Sequence, residues 1–192
     1  MSHLFAYLSR MKFIERWSLM HNVHKENIQE HSLQVGMIAH TLAVIRNAKF
    51  DGHVNPERVV VLAMYHDSSE VITGDLPTPI KYFSPKIKTA YKEIEEIANK
   101  RLYEMVPDEI KAEFESIFFP VEKDEEHWKI IKAADKLSAY LKCLEERKAG
   151  NQEFVRAEQV LRQSVKDIDL PEVKWFWKTF IPSMKLTLDE LE

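Results

Sequence analysis

Three chemically reactive side chains lie within an apolar helical pattern in the first half of the chain. Val59 and Leu62 are followed at helical spacing by His66 and Glu70, and Asp67 comes directly after the histidine. Burying an ionised side chain without a partner is costly, so an imidazole and two carboxylates on one packed face need a partner. A divalent cation would serve if further ligands converge on it.

Two more residues of this kind occur far away in the chain. His31 lies four residues before Val35, on the apolar stripe of a helix expected over residues 27–47, and Asp135 lies four residues after Ile131 in a later helix. Taken singly, each has a simpler interpretation as a core residue that is hydrogen-bonded to a neighbour. Together they place metal-capable groups on the packed faces of three separate helices.

Two imidazoles and two carboxylates form a borderline-to-hard donor set. We expect such a set to bind one divalent transition-metal cation rather than a thiolate-seeking ion. Co²⁺ and Mn²⁺ are favoured, and Zn²⁺, Ni²⁺, Fe²⁺ and Cu²⁺ are also compatible. The expected ligands are His31, His66, Asp67 and Asp135.

The elements that must position these residues are all predicted to be helices. Apolar residues recur at helical spacing, no stretch alternates, and the pattern predicts an all-α bundle of roughly seven to nine helices. An opening helix is expected from Leu4 to about Ile14, and the helix with His66 is expected to run unbroken from Pro56 to Thr73. Predicted helix starts fall at Asn27, Asn55-Pro56, Ser84-Pro85, Asp124 and Pro171.

Length and composition favour one domain over residues 1–192, with a core at about 28–145 on which the N-terminal and C-terminal helices pack. A net charge of -4 argues against nucleic-acid binding, and no apolar run suits a membrane span. A single cysteine, Cys143, and the lack of a signal peptide indicate a cytoplasmic protein. The aromatic cluster from Trp175 to Trp177 suggests an exposed surface and hence a homodimer.

Two segments beside the metal-capable residues could contact a ligand. Arg16 next to Trp17 combines a guanidinium that suits phosphate with a ring that suits a base or sugar. The same pair is also what a surface arginine beside an anchoring tryptophan would look like. The proline-rich loop Asp75 to Pro79 is stiff and follows the helix with His66, so it could line a pocket or only connect helices.

The order and spacing of His31, His66-Asp67 and Asp135 resemble those of the HD superfamily of metal-dependent phosphohydrolases. Within it, the chain is most similar to the bacterial 5′-deoxynucleotidases, over nearly its whole length. The matching runs are ENIQEHS around His31, YHDSSEV from Tyr65, TGDLPTP from Thr73 and KAADKL around Asp135, together with Arg16-Trp17.

This resemblance implies a helical, homodimeric, cytoplasmic hydrolase that converts deoxyribonucleoside 5′-monophosphates to deoxynucleoside and phosphate. Rejection of ribonucleotides is expected because the indole of Trp17 packed against the sugar would leave no room for a 2′-hydroxyl. The resemblance also implies that the four expected ligands hold the metal. Independently of the resemblance, Glu70 lies one turn beyond His66 on the same face and is expected to be catalytic, orienting or deprotonating the attacking water without being a ligand. The implied substrate contacts are Arg16, Trp17, His66, Asp75, Leu76, Pro77, Thr78 and Asp135. Two roles are open for Asp75: it could accept a hydrogen bond from the 3′-hydroxyl of the sugar, or it could assist the leaving oxygen.

Two other functions remain compatible with the sequence. Another HD-type phosphohydrolase could act on nucleoside triphosphates, cyclic dinucleotides or an alarmone, although the other histidines form no second ligand set and few basic residues accompany Arg16 and Lys81. A non-catalytic nucleotide sensor is the second alternative, and the intact ligand set with Glu70 argues against it.

Overall fold

The computed structural model describes residues 1–191 of the 192-residue chain as α-helices joined by short 3₁₀ turns and loops. The α-helices are α1 (Leu4–Leu8), α2 (Ile28–Lys49), α3 (Pro56–Tyr65), α4 (Glu70–Thr73), α5 (Thr78–Lys81), α6 (Pro85–Glu104), α7 (Lys111–Phe118), α8 (Glu125–Lys148), α9 (Val155–Lys166) and α10 (Pro171–Phe180). No β-strand occurs in this range, where one isolated antiparallel bridge pairs Glu15 with Asn27. The predicted all-α class is confirmed.

The chain forms two compact units. The first comprises residues 1–20, 25–33 and 64–125, and the second comprises residues 21–24, 34–63 and the chain from 126 onward. In the first unit Leu4, Ile28, Leu102 and Phe118 are fully or almost fully buried. In the second, α8 contributes Ile131 and Leu137 to a larger core with residues of the helices around it; that core also includes Val35, Leu42, Leu62 and Phe176. The single domain with its core at about 28–145 stays a prediction.

Most predicted helix starts are found where the capping residues indicated them. Asn27 Oδ1 accepts the backbone N–H of Glu30 at 3.0 Å just before α2, and Ser84 Oγ accepts that of Ile87 at 3.2 Å at the start of α6. Each side chain satisfies a donor that the first helical turn leaves without an intrahelical partner.

The predicted opening helix is too long. α1 ends at Leu8, and a separate 3₁₀ turn covers Met11–Phe13. The backbone N–H of Arg10 bonds to the carbonyl of Tyr7 at 2.8 Å, so the chain tightens to an i→i+3 pattern there instead of continuing the α-helix.

The predicted continuous helix from Pro56 to Thr73 is wrong. α3 ends at Tyr65, residues 66–69 form turns, and α4 begins at Glu70. The N–H of Ser68 bonds to the carbonyl of Tyr65 at 3.0 Å, and that of Glu70 to the carbonyl of Asp67 at 3.0 Å. Asp and Ser have low helix propensity because their side chains compete for backbone groups, which favours this break.

The aromatic segment of α10 is packed, which removes one argument for a dimer. Trp177 lies 4.8 Å from Tyr140 between ring centroids, and Trp175 contacts Phe180 at 5.8 Å in an edge-on arrangement. Both tryptophans pack against the core of the second unit instead of forming an exposed patch.

A buried carboxylate on α8 holds residues 21–24 within the second unit. Glu146 accepts the backbone N–H groups of Val23 and His24 at 2.9 and 3.0 Å. It also accepts from Asn151 Nδ2 at 2.8 Å and pairs with Lys142 Nζ at 2.6 Å. Burial opposes ionisation of Glu146, but these donors outweigh it and lower its pKa to about 2.

Across residues 1–191, none of the helices combines the length and apolar character that a membrane span requires.

Candidate active site

Three of the predicted metal ligands lie close together in the first unit. His31 is on the first turn of α2, and His66 and Asp67 open the turn that follows α3. Asp67 Oδ2 is 3.0 Å from Nε2 of His66 and 3.6 Å from Nε2 of His31, and the two imidazole centroids are 5.4 Å apart. The break in the helix at residue 66 therefore does not separate these three predicted ligands.

The donor set and its dimensions fit a divalent cation. One ligand atom from each of His31, His66 and Asp67 lies within 4.8 Å of the others. Ligands about 2.1 Å from a shared ion lie about 3.0–3.5 Å apart, close to the distances from both imidazoles to Asp67. Both Nε2 atoms are inaccessible to solvent, so a bound ion would be shielded on that side.

The charge of Asp67 is stabilised by its neighbours. Burial raises the energy of the ionised carboxylate, but His66, His31 and Arg16 outweigh that effect and hold its pKa well below the usual range. Arg16 Nη1 lies 3.5 Å from Asp67 Oδ2, so a fixed positive charge adjoins the ligand cluster. Asp67 is therefore ionised at neutral pH, as a metal ligand must be.

Glu70 is a buried carboxyl group of this region. It is the first residue of α4 and is 6% exposed, and its Oε2 accepts no hydrogen bond from residues 1–191. Burial raises its pKa to about 10, and the carboxylates of Asp67 and Asp75 contribute in the same direction. A strongly perturbed acid beside a ligand cluster is typical of catalytic carboxyl groups.

Arg16 and Trp17 are held by a shared partner, Glu26. Glu26 Oε2 accepts from Arg16 Nε at 3.0 Å and from Trp17 Nε1 at 3.1 Å. Arg16 and Glu26 are both mostly buried, with side chains 14% and 11% exposed. Arg16 is therefore not a freely moving surface arginine.

Trp17 has an unusual backbone conformation. Its φ is +58°, in the left-handed region, and within residues 1–191 only Asp51 shares this property among non-glycine residues. A bulky side chain in this region costs about 1–2 kcal/mol. The N–H of Met20 donates to the Trp17 carbonyl at 2.9 Å and closes the turn.

The loop after Gly74 begins close to these groups. Gly74 has a φ of +72°, and Tyr91 Oη donates to its carbonyl at 3.3 Å. Burial raises the pKa of Asp75, the first loop residue. Lys81, at the end of α5, pairs with Glu95 at 2.9 Å and lies over the ring of Tyr91.

Comparison with known proteins identifies the family. A family model described as 5′-deoxynucleotidase YfbR-like matches residues 3–184. The chain belongs to the YfbR-like 5′-deoxynucleotidase family. It is 53% identical over 190 residues to the 5′-deoxynucleotidase VV1113 of Vibrio vulnificus (strain YJ016), with 99% of this chain and 98% of that protein covered. The 5′-deoxynucleotidase of Yersinia pestis (strain Pestoides F) is also 53% identical, over 191 residues, with 100% and 97% covered.

Solved structures agree with this YfbR-like assignment at the level of the fold. An HD-domain phosphohydrolase from Listeria innocua superposes with a TM-score of 0.81 at 24% identity, over 94% of this chain and 87% of that one. The HD phosphohydrolase DatZ of cyanophage S-2L, solved with dA and one catalytic Zn²⁺ ion, gives a TM-score of 0.64 at 20% identity, over 95% and 97%. The predicted HD fold is confirmed by these structures, and the predicted hydrolase class is confirmed by the family match.

The structure brings some of the predicted site residues of this YfbR-like protein together. For the others, the predicted role stays a prediction. In the first unit it joins Arg16 to the cluster of His31, His66 and Asp67. In the loop, Leu76 and Pro77 are half-buried, and Thr78 is exposed on the first turn of α5. Asp135 is half-buried on α8, in the second unit, and its place among the ligands stays a prediction.

Glu26 is the residue of this region that the sequence did not predict. It lies in a polar loop beside Lys25 and belongs to no helical or ligand pattern. Its position across from Arg16 depends on the Glu15–Asn27 bridge, which joins segments without any strand periodicity. Glu26 is the first residue of the matching run ENIQEHS, but nothing in that run assigned it a role.

Proposed function

We propose that this protein is a metal-dependent 5′-deoxynucleotidase that hydrolyses deoxyribonucleoside 5′-monophosphates to deoxynucleoside and phosphate. The observation that carries the proposal is the cluster of His31, His66 and Asp67 with Arg16 beside it, in a chain of the YfbR-like family. A cation site next to a fixed guanidinium suits a phosphate ester, whose oxygens bind both.

The residues that would hold the cation are His31, His66, Asp67 and, by the resemblance, Asp135. When bound, a divalent cation lowers the pKa of water and screens the negative charge of the phosphate. A site of two imidazoles and two carboxylates can bind several divalent first-row transition metals. Among them we favour Co²⁺ or Mn²⁺. The four ligands leave room for water and substrate on an ion that prefers five or six.

The remaining groups bind the substrate and handle the proton. Arg16 binds the phosphate oxygens through its terminal N–H groups, because its Nε is already engaged by Glu26. Glu70 orients or deprotonates the attacking water from its buried position. Asp75 accepts a hydrogen bond from the 3′-hydroxyl of the sugar or assists the leaving oxygen, and Leu76, Pro77 and Thr78 line the same side.

Trp17 would distinguish deoxyribose from ribose. An indole packed against the sugar leaves no room for a 2′-hydroxyl and offers it no hydrogen-bond partner. The fixed indole N–H, bound to Glu26 at 3.1 Å, supports a rigid wall of this kind.

The proposal includes a cytoplasmic homodimer. In the first unit the apolar side chains of Phe5, Leu33 and Met64 are 68%, 57% and 47% exposed, which would suit contact with a second copy. Light scattering at several protein concentrations measures the mass directly, and a monomer at all of them would contradict the assembly without affecting the activity.

Phosphate release from a panel of nucleotides tests the activity. We expect release from dAMP and other deoxynucleoside monophosphates with added Co²⁺ or Mn²⁺, little from AMP, and none after chelation. Release from triphosphates or an alarmone instead would identify another phosphohydrolase. Nucleotide binding without any release, at all metal concentrations, would identify a sensor.

A further inference from the structure

A single carboxylate oxygen joins the two residues that are proposed to hold opposite parts of the substrate. Glu26 Oε2 accepts from Arg16 Nε at 3.0 Å and from Trp17 Nε1 at 3.1 Å. Arg16 is proposed to bind the phosphate and Trp17 the sugar, and Glu26 contacts both of these side chains. Its side chain is 11% exposed, so these contacts are largely shielded from water.

The backbone holds Glu26 in this position. The N–H of Arg16 donates to the carbonyl of Glu26 at 2.9 Å, and the N–H of Ile28 donates to the carbonyl of Ile14 at 3.0 Å. These bonds flank the bridge between Glu15 and Asn27. The side chain of Glu26 therefore reaches Arg16 and Trp17 from a segment that is fixed against theirs.

The contact to Arg16 fixes which edge of the guanidinium faces the cluster of His31, His66 and Asp67. Arginine has five N–H donors in one plane, and Glu26 takes the one on Nε. Nη1 points to the ligand cluster, 3.5 Å from Asp67 Oδ2. Because Glu26 holds the guanidinium at Nε and Asp67 holds it at Nη1, the terminal nitrogens keep one orientation. Bidentate binding of phosphate requires such a fixed orientation.

The contact to Trp17 fixes the rotation of the indole. The backbone at Trp17 is in the left-handed region, so its side chain leaves the chain in a direction that few residues adopt. With the indole N–H bound to a charged acceptor, the ring plane cannot turn without losing a charge-assisted hydrogen bond. Steric exclusion of the ribose 2′-hydroxyl requires an indole ring that is held in one orientation.

We propose that Glu26 is a positioning residue that sets the phosphate-binding arginine and the sugar-facing tryptophan together, so that substrate affinity and selection against ribonucleotides depend on one carboxylate. This inference rests on the proposed deoxynucleotidase activity. Glu26 touches neither substrate nor metal in this account and acts only through Arg16 and Trp17.

Steady-state kinetics with dAMP and AMP test this role in Glu26→Ala. We expect kcat/KM for dAMP to fall about 10- to 100-fold, the loss expected for one buried charge-assisted contact. The preference for dAMP over AMP should fall toward that of Trp17→Ala. The double variant Trp17→Ala/Glu26→Ala should show no further loss of preference, since both changes act on the same ring.

Two further variants separate positioning from general stability. Glu26→Gln keeps an oxygen that can accept both hydrogen bonds, so it should recover most of the preference. Glu15→Gln is the matched control, because Glu15 lies on the same bridge but is exposed and pairs with the exposed Lys25 at 2.7 Å. It should keep wild-type values for both substrates.

The outcomes distinguish this inference from the function beneath it. No phosphate release from dAMP by the wild type would overturn the proposed activity and the inference with it. An active wild type with an unchanged preference in Glu26→Ala would overturn the inference alone, as would equal losses in Glu15→Gln. If Glu26→Ala does not fold, Glu26→Asp replaces it: its shorter side chain should lower the preference, and a wild-type preference would refute the role.

Discussion

Replacing Glu146 by glutamine should destabilise the protein by an amount that depends on pH. Its pKa falls from an ordinary 4.5 to about 2 on folding, because Lys142, Asn151 and the N–H groups of Val23 and His24 outweigh the effect of burial. That difference corresponds to about 3 kcal/mol in the free energy of unfolding. Since the folded state binds the proton less tightly, the stabilisation is complete above pH 4.5 and is lost as the pH falls toward 2. At pH 3 about 1 kcal/mol should remain.

Urea unfolding of the wild type and Glu146→Gln at pH 7, 5, 4 and 3 measures this effect. The difference between the two proteins isolates one carboxylate from all others that titrate in the same range. Asp169→Asn is the matched control: Asp169 pairs with Lys174 at 2.7 Å but is 96% exposed, so its loss should change stability little at any pH. A difference for Glu146→Gln that stays constant from pH 7 to pH 3, or that equals the control, would refute the reasoning.

Four other changes test the site and one helix end. Trp17→Ala should reduce the preference for dAMP over AMP in phosphate release, and an unchanged preference would remove its assigned role. Glu70→Ala should lose at least about 100-fold in kcat while binding Co²⁺ in calorimetry as the wild type does; a loss of metal content would make Glu70 a ligand instead. His31→Ala should lose the metal itself, and retention of stoichiometric Co²⁺ would contradict the cluster. Gly150→Ala should lower the free energy of unfolding by about 1 kcal/mol because its φ is +87° with open space around it, so an unchanged urea midpoint would be unexpected.

Local signals in the sequence predicted most helix boundaries. Asn27 and Ser84 cap their helices because short polar side chains satisfy the first free N–H groups, and Pro171 opens α10 as the spacing indicated. His31 and His66 were predicted to share a site because a polar residue on an apolar stripe demands a partner, and the structure brings the two imidazoles together. Both conclusions depend only on residues within a few positions of each other.

Features that depend on distant segments or on competing local preferences escaped prediction. Apolar spacing from Val59 onward suggested one helix through Glu70, but Asp67, Ser68 and Ser69 favour a turn, and the backbone follows them. Glu26 escaped because its partners are set by a single bridge between two loops. The spacing of apolar residues along the chain cannot predict such a contact, because neither loop has a repeating pattern.

The conformation of Trp17 has a consequence for how this protein can be made more stable. A glycine at this position would adopt a φ of +58° without steric penalty, so Trp17→Gly relieves local backbone strain while it removes the indole. Among the possible replacements, glycine is therefore the one that removes this strain, whereas any smaller residue with a Cβ retains it. Any thermostable variant from a screen for thermal resistance should have residue 17 sequenced first, because a gain in melting temperature there would come with relaxed choice between deoxyribose and ribose.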